Sequence, residues 1–368
     1  MDAEGPWVAV GAPRSAGASG GGAVAVYERD PVTDQLQLFA LLEPSDSTSG
    51  DRFGTSVAFD GDTLVIGAPG TTGTRGGAYV FRWDGVSWSE AQKLTSPMSG
   101  VGSDFGGALD VDVGNEWLAI GQSSPPRIEI WVIAASGQWI FCDPADGDGS
   151  TVSLDSSWLG TGSGVHGYNA FFLSWPEWTP HVTDSIAADG RSVHYAFGGE
   201  VTSVFAPFGA SPPNKVSFDP GIEFPEVRAA SDGRVAVSGQ RASREVVRMF
   251  QVSVGGPTPV RFLGEFEPGV EGYGLSAALD GDFLVVGSPS SSFRGANSGR
   301  VYQYDLRCTP IQAETVCYQT APNSSGATAR MDAFGSTSIA ANDVTLEASL
   351  LPTSTFGIFV TSDASGPG

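Results

Sequence analysis

His166, His181 and His194 are the only imidazoles in the chain. No two of them stand at a spacing typical of a metal site, and none pairs with another at the i, i+4 step of a helix. His194 lies in the strand-like run Ser192-Val193-His194-Tyr195 and reads as an ordinary packed residue. A nucleophile–histidine–acid triad converges only in space, so spacing cannot remove it. The strand-to-helix elbow that would expose a nucleophilic serine is nevertheless missing. Gly162-Ser163-Gly164 sits in the loop Gly160–Gly164 with no helix after it. That loop and Gly20-Gly21-Gly22 therefore make poor phosphate cradles, since no helix N-terminus follows.

Carboxylates and aromatics offer more. Asp51, Asp104 and Glu271 recur just before an aromatic–Gly pair, so in a closed ring they would fall at equivalent places on one rim. They read first as turn formers that accept backbone N–H bonds. The functional reading is a ring of carboxylates at a channel mouth, able to hold a cation or act as acid and base on a sugar. A second group is the aromatic stretch with Trp158, Tyr168, Phe171, Phe172, Trp175 and Trp178. Trp158, Tyr168, Trp175 and Trp178 are the candidate ligand-binding residues, because exposed aromatics stack on sugars or anchor a protein partner. The competing reading is that they cap or plug the scaffold.

The elements that must position these groups are copies of one phrase. Residues 53–69 read Phe-Gly-Thr-Ser-Val-Ala-Phe-Asp-Gly-Asp-Thr-Leu-Val-Ile-Gly-Ala-Pro, and parts recur around Gly11, Gly121, Gly190, Gly233 and Gly287. Phe-Gly-x-Ser-Val-Ala predicts a first strand, and Asp-Gly a tight turn whose central residues take positive φ. Leu64-Val65-Ile66 predicts a second strand buried on both faces. A third strand ends in aromatics, as in Ala78-Tyr79-Val80-Phe81, and a fourth follows, as in Leu36–Leu42. Four antiparallel strands repeated every 40–50 residues describe a β-propeller blade. The expected fold is all-β: six or seven four-stranded blades over residues 1–306, an insertion at about 143–180, and a small, incomplete C-terminal β module at 307–368. No helical periodicity is present.

Phe53-Gly54 with Gly67-Ala68-Pro69 resembles the FG-GAP repeat of integrin α-subunit propellers and of many secreted bacterial proteins. The resemblance implies seven blades, extracellular placement, and adhesion or ligand binding without catalysis. Such repeats often hold calcium between the first and second strands. Here only Phe59 to Thr63 separate Ala58 from Leu64, too short to surround a cation needing six to eight oxygen ligands. The longer loop Asp110-Val111-Asp112-Val113-Gly114-Asn115-Glu116 makes Asp110 and Asp112 candidate metal ligands, against a solvated acidic turn. Asp146 and Asp148, in Asp143–Gly149, are a second candidate pair without a closing bidentate Glu. Calcium is thus the single cofactor considered, and none is required.

Fifty Gly and 24 Pro with 40% apolar residues fit many turns on a packed core. A net charge of −22 repels phosphate backbones and anionic bilayers, which speaks against nucleic-acid and membrane-surface partners. No apolar run is long enough to span a membrane. Met1-Asp2 aligns with Phe59-Asp60, so the chain is expected to start partway through a blade, its signal peptide lost with the missing part. Cys308 and Cys317 are close enough to bridge in an oxidising compartment, leaving Cys142 in a strand beside Phe141, expected buried. Asn323-Ser324-Ser325 fits a glycosylation acceptor or a turn.

The sequence therefore predicts a monomeric, extracellular or surface-attached propeller that binds proteins or glycans and is not an enzyme. The alternative is a propeller hydrolase or lyase acting on extracellular polysaccharide. A structural repeat with no specific ligand is a third possibility.

Overall fold

A computed structural model describes the chain apart from residues 15–19, 71–74, 101–102, 156–157, 162–163, 168–184, 189–191, 206–213, 254–258, 292–298, 307–329, 335–344 and 350–368, and positions 34, 99, 115 and 146. It divides into two units, Met1–Leu306 and Arg307–Gly368.

The first unit is a succession of antiparallel sheets in chain order. The first holds β1 (Asp2–Glu4), β2 (Trp7–Ala12), β3 (Ala23–Arg29) and β4 (Leu36–Leu42). The second holds β5 (Val57–Asp60), β6 (Thr63–Ala68), β7 (Gly77–Trp83) and β8 (Trp88–Leu94). The third holds β9 (Ala108–Asp112), β10 (Trp117–Ser123), β11 (Pro126–Ile133) and β12 (Trp139–Ala145). The fourth has three strands, β13 (Val152–Asp155), β14 (Trp158–Thr161) and β15 (Gly164–Gly167). The fifth holds β16 (Ser185–Ala188), β17 (Ser192–Phe197), β18 (Glu200–Phe205) and β19 (Asn214–Phe218). The sixth holds β20 (Glu223–Ser231), β21 (Arg234–Arg241), β22 (Arg244–Val252) and β23 (Val260–Phe266). The seventh has three, β24 (Ser276–Asp280), β25 (Phe283–Ser288) and β26 (Arg300–Asp305).

The first strands of the sheets pack side by side in the sequence β1, β5, β9, β13, β16, β20, β24, and β24 returns to β1. The sheets are therefore blades of a closed propeller. The stretch expected as an insertion is, over 152–167, itself a sheet of this ring. Its short strands and aromatic-rich letters hid the repeat. The second unit contains one described hairpin, β27 (Arg330–Phe334) with β28 (Thr345–Ser349).

Burial explains the blades. Leu64, Val65 and Ile66 are fully buried, because the second strand packs against neighbours on both faces. Between blades one and two lie Trp7, Val24, Phe53, Leu64, Tyr79 and Phe81. The ring closes between blades seven and one on Ala3, Val8, Ala278, Phe283 and Val285.

The Phe-Gly pair is not the start of the strand. Phe53 bridges Gly22 of the preceding blade, Gly54 has φ +89°, and the strand begins only at Val57. A Cβ on Gly67 would sit 2.0 Å from the Gly106 carbonyl oxygen, so the Gly of Gly-Ala-Pro makes room for the Phe-Gly turn of the next blade. The Asp-Gly signal is also displaced. Asp60 and Asp280 end their strands, pairing with Thr63 and Phe283, so Gly61 and Gly281 open the two-residue turns with positive φ. In blade six Asp232 and Gly233 are both central, at φ +51° and +73°.

Candidate functional site

The inner strands enclose a channel of about 610 Å³ lined by residues from every blade. Glu4, Asp60, Asp112, Ser231 and Asp280 each occupy the last pair of an inner hairpin, next to its turn. They form a ring of acceptors at the turn end of the channel.

Most of these groups stitch one blade to the next. The Gly61 N–H donates to Glu4 Oε2 (2.8 Å), Val113 and Gly114 donate to Asp60, Gly281 donates to Ser231 Oγ (3.0 Å), and Gly5 donates to Asp280 Oδ2 (2.8 Å). Deeper in the channel Phe59 donates to Asp2 Oδ2 (2.7 Å), Leu154 to Asp110 Oδ2 (2.7 Å), Ala188 to Ser153 Oγ (2.9 Å) and Val227 to Ser185 Oγ (2.6 Å). Every seam of the ring is thus crossed by a side-chain acceptor taking a backbone N–H. Phe59, Leu154, Ala188 and Val227 lie on inner strands and the other donors in the turns that follow them, so each bond satisfies a backbone group at the open channel side of the sheet.

Two carboxyls differ electrostatically from ordinary surface acids. Burial raises Asp2 above its usual range, against hydrogen bonds from Phe59 and Ala3. Burial also raises Glu4, against the bond from Gly61, and the charges of Asp60, Asp2 and Asp280 push it further up. Arg228 is the single basic side chain among the lining residues. Its Nε donates to Ser238 Oγ (2.8 Å) and it pairs with Glu226. Burial lowers its guanidinium to about 10, so it stays charged at neutral pH. A carboxyl raised by burial, carboxylates beside it and a desolvated guanidinium in the same lining can together move a proton and stabilise a developing negative charge.

The residues singled out in the sequence are distributed otherwise. Asp51 accepts the Thr48 N–H (2.6 Å) and hydroxyl (2.8 Å). Asp104 takes N–H bonds from Ser123 (2.9 Å) and Ser124 (3.0 Å). These two carboxylates are turn formers. Burial alone would raise Asp104, but the bonds from Ser123 and Ser124 hold it below its usual range. Asp110 and Asp112 line the channel, with Asp110 bonded to Val111 (2.9 Å) and Leu154. Asp148 caps Ser150 (2.9 Å). Asp146 lies outside the described residues, and no cluster of three metal-binding side chains occurs among the described ones. Trp158 is in β14, while Tyr168, Trp175 and Trp178 lie outside the described residues. His194 is fully buried between Ser192 (2.9 Å) and Ser203 (2.7 Å), a packed residue as expected. Cys142, expected buried, is exposed on the outer strand β12. Glu4 and Arg228 were missed. The alignment of Met1-Asp2 with Phe59-Asp60 is two residues off: Glu4 pairs with Trp7 as Asp60 pairs with Thr63, so Glu4 and not Asp2 stands in the place of Asp60.

Residues 38–81 match the FG-GAP repeat family. A search of curated proteins gives no match. Among solved structures, a Lactobacillus plantarum protein aligns over 82% of this chain and 93% of its own, with TM-score 0.56 and 16% identity. The periplasmic gluconolactonase of Pseudomonas aeruginosa covers the same shares at TM-score 0.53 and 15% identity. A Bacteroides fragilis protein described as a candidate 6-phosphogluconolactonase covers 81% and 91%, with TM-score 0.53 and 11% identity. At such identities what is shared is the fold. The expectation that the chain is not an enzyme is corrected on this ground: propellers of this shape include named lactonases, and the fold no longer argues for binding alone.

Proposed function

We propose that the chain is a hydrolase acting on a small, neutral, sugar-derived substrate held in the central channel. The observation that carries this reading is Glu4: a half-buried carboxyl on the channel wall, raised above its usual range with Asp60 and Asp2 beside it. In this role Glu4 donates a proton to the leaving oxygen, and a carboxylate neighbour such as Asp60 takes one from the attacking water. The channel volume suits a small molecule, which favours a sugar unit over a polymer chain. The lactonase names of two similar propellers support the same class of reaction.

The test is turnover of a panel of neutral sugar lactones, esters and glycosides by the purified chain. Hydrolysis is expected, with kcat lowered about 10²- to 10⁴-fold in Glu4→Gln. That variant keeps an oxygen for the Gly61 N–H, so the loss reports the proton and not the stitch. Absence of turnover across the panel, or an unchanged rate in the variant, overturns the reading.

A further inference from the structure

Blade six breaks the repeat in three places, and all three converge on one side chain. The first break is in the backbone. The inner strands β1, β5, β9, β13, β16 and β24 pair with their neighbours in unbroken register. β20 alone is irregular: Val227 pairs with Val237 and Ala229 with Ala236, so Arg228 is left without a partner residue on β21. Such a bulge re-aims the residue it throws out, and bulges concentrate beside active sites. The second break is in sequence. Ser238 stands four residues after Arg234, where blade two has Gly67 four residues after Thr63. The next blade confirms the equivalence, because Gly274 packs against Ser238 as Gly106 packs against Gly67. The hydroxyl that replaces the repeat's glycine is the acceptor for Arg228 Nε. The third is electrostatic. Arg228 is the one basic side chain of a lining that otherwise carries the carboxylates of Asp2, Glu4, Asp60, Asp110 and Asp112.

A desolvated arginine on an irregular strand weakens the fold, since regular pairing and the consensus glycine are available at the same place in other blades. Local departures of this kind belong to function. The side chain is 22% exposed, its bonds to Ser238 and Glu226 engage Nε and Nη2, and Arg228 is among the residues lining the channel.

We infer that Arg228 is the catalytic residue that holds the acyl oxygen of the substrate, so that the bond broken in the channel is a lactone or ester and not a glycoside. This rests on the hydrolase reading and narrows it. Glycoside cleavage builds positive charge on the sugar and gains nothing from a guanidinium. Ester cleavage builds negative charge on one oxygen and gains directly. The water oxygen bonds to the acyl carbon and gives its proton to a wall carboxylate. The carbonyl electron pair moves onto the oxygen beside Arg228. Re-forming the carbonyl breaks the ring C–O bond, and the leaving oxygen takes the proton of Glu4. The product is a hydroxy acid. A neutral lactone enters an acidic channel freely, whereas the carboxylate it becomes is repelled by the same walls, which speeds release.

The experiment measures lactone and aryl-glycoside hydrolysis by the full chain, wild type against Arg228→Lys and Arg228→Met. The expected result is lactone but not glycoside turnover, with kcat down about 10²- to 10³-fold in Arg228→Met and KM little changed. Partial recovery is expected in Arg228→Lys, and on adding guanidinium ion to Arg228→Met. A merely structural arginine would show neither the kcat-against-KM split nor recovery by a free cation. Glycoside turnover that is indifferent to Arg228 would overturn this inference while leaving the hydrolase reading intact. Turnover of neither class would overturn both.

Discussion

Burying a carboxyl without a full set of donors favours its protonated form, and two glutamates show this in different ways. Glu4 is raised by burial and by Asp60, Asp2 and Asp280, and Glu129 is raised by burial against a hydrogen bond from Ser96. Glu129 is fully buried, and its Oε2 has no hydrogen-bond partner among the described residues. A carboxyl raised in the folded state binds its proton more tightly there than when unfolded. Its contribution is therefore full below the unfolded value near 4.5 and fades as pH rises through the folded value. Glu129→Gln is expected to raise Tm at pH 7 and to leave it nearly unchanged at pH 4; equal effects at both would deny the buried charge. For Glu4 the same sign governs catalysis: kcat should fall as pH climbs through its raised value, and a pH–rate profile reads this directly. At this scale the sequence was least informative. Asp51 and Asp104 close turns, as their first reading had it, but Glu4 belongs to a truncated-looking first repeat and Arg228 to a weak one.

Elements are where the sequence spoke most clearly. The run Leu64-Val65-Ile66 announced a fully buried strand, and Leu36–Leu42 is β4 to the residue. What letters could not give was where each strand begins, because Phe53-Gly54 and Gly67 act between blades and not within one. A residue whose partner lies in the next repeat has no local pattern. Gly67→Ala should therefore cost about 1–3 kcal/mol or more, read from denaturant unfolding, because the added methyl meets backbone oxygen. Ser238→Gly tests the opposite case. Restoring the repeat's residue should change stability by no more than about 1 kcal/mol, while Arg228 loses its acceptor and kcat/KM drops about five- to tenfold. A variant that is fully active would separate Ser238 from the site.

At the largest scale, residues 1–306 are a ring closed by non-covalent means. At the seam of blades seven and one, Asp280 takes the Gly5 N–H, Ala3 and Val8 pack on Ala278 and Val285, and Arg29 lies 4.1 Å over the Phe283 ring. The channel exists only because all seams hold, so the site is a property of the ring and of no single blade. Asp280→Ala should cost about 0.5–1.5 kcal/mol by chemical unfolding, and Asp280→Asn less, since the amide oxygen still accepts. The repeat announced a propeller because its period is written in the sequence. The channel chemistry was not legible, because it is assembled from blades one, two, three and six, far apart in the chain. One measurement addresses the central claim most directly: a crystal structure of the full chain soaked with a sugar lactam, the non-hydrolysable analogue of a lactone. The account predicts the lactam in the channel with its carbonyl oxygen on Arg228 and Glu4 at its ring heteroatom. A lactam bound elsewhere, or a channel that excludes it at saturating concentration, would contradict it.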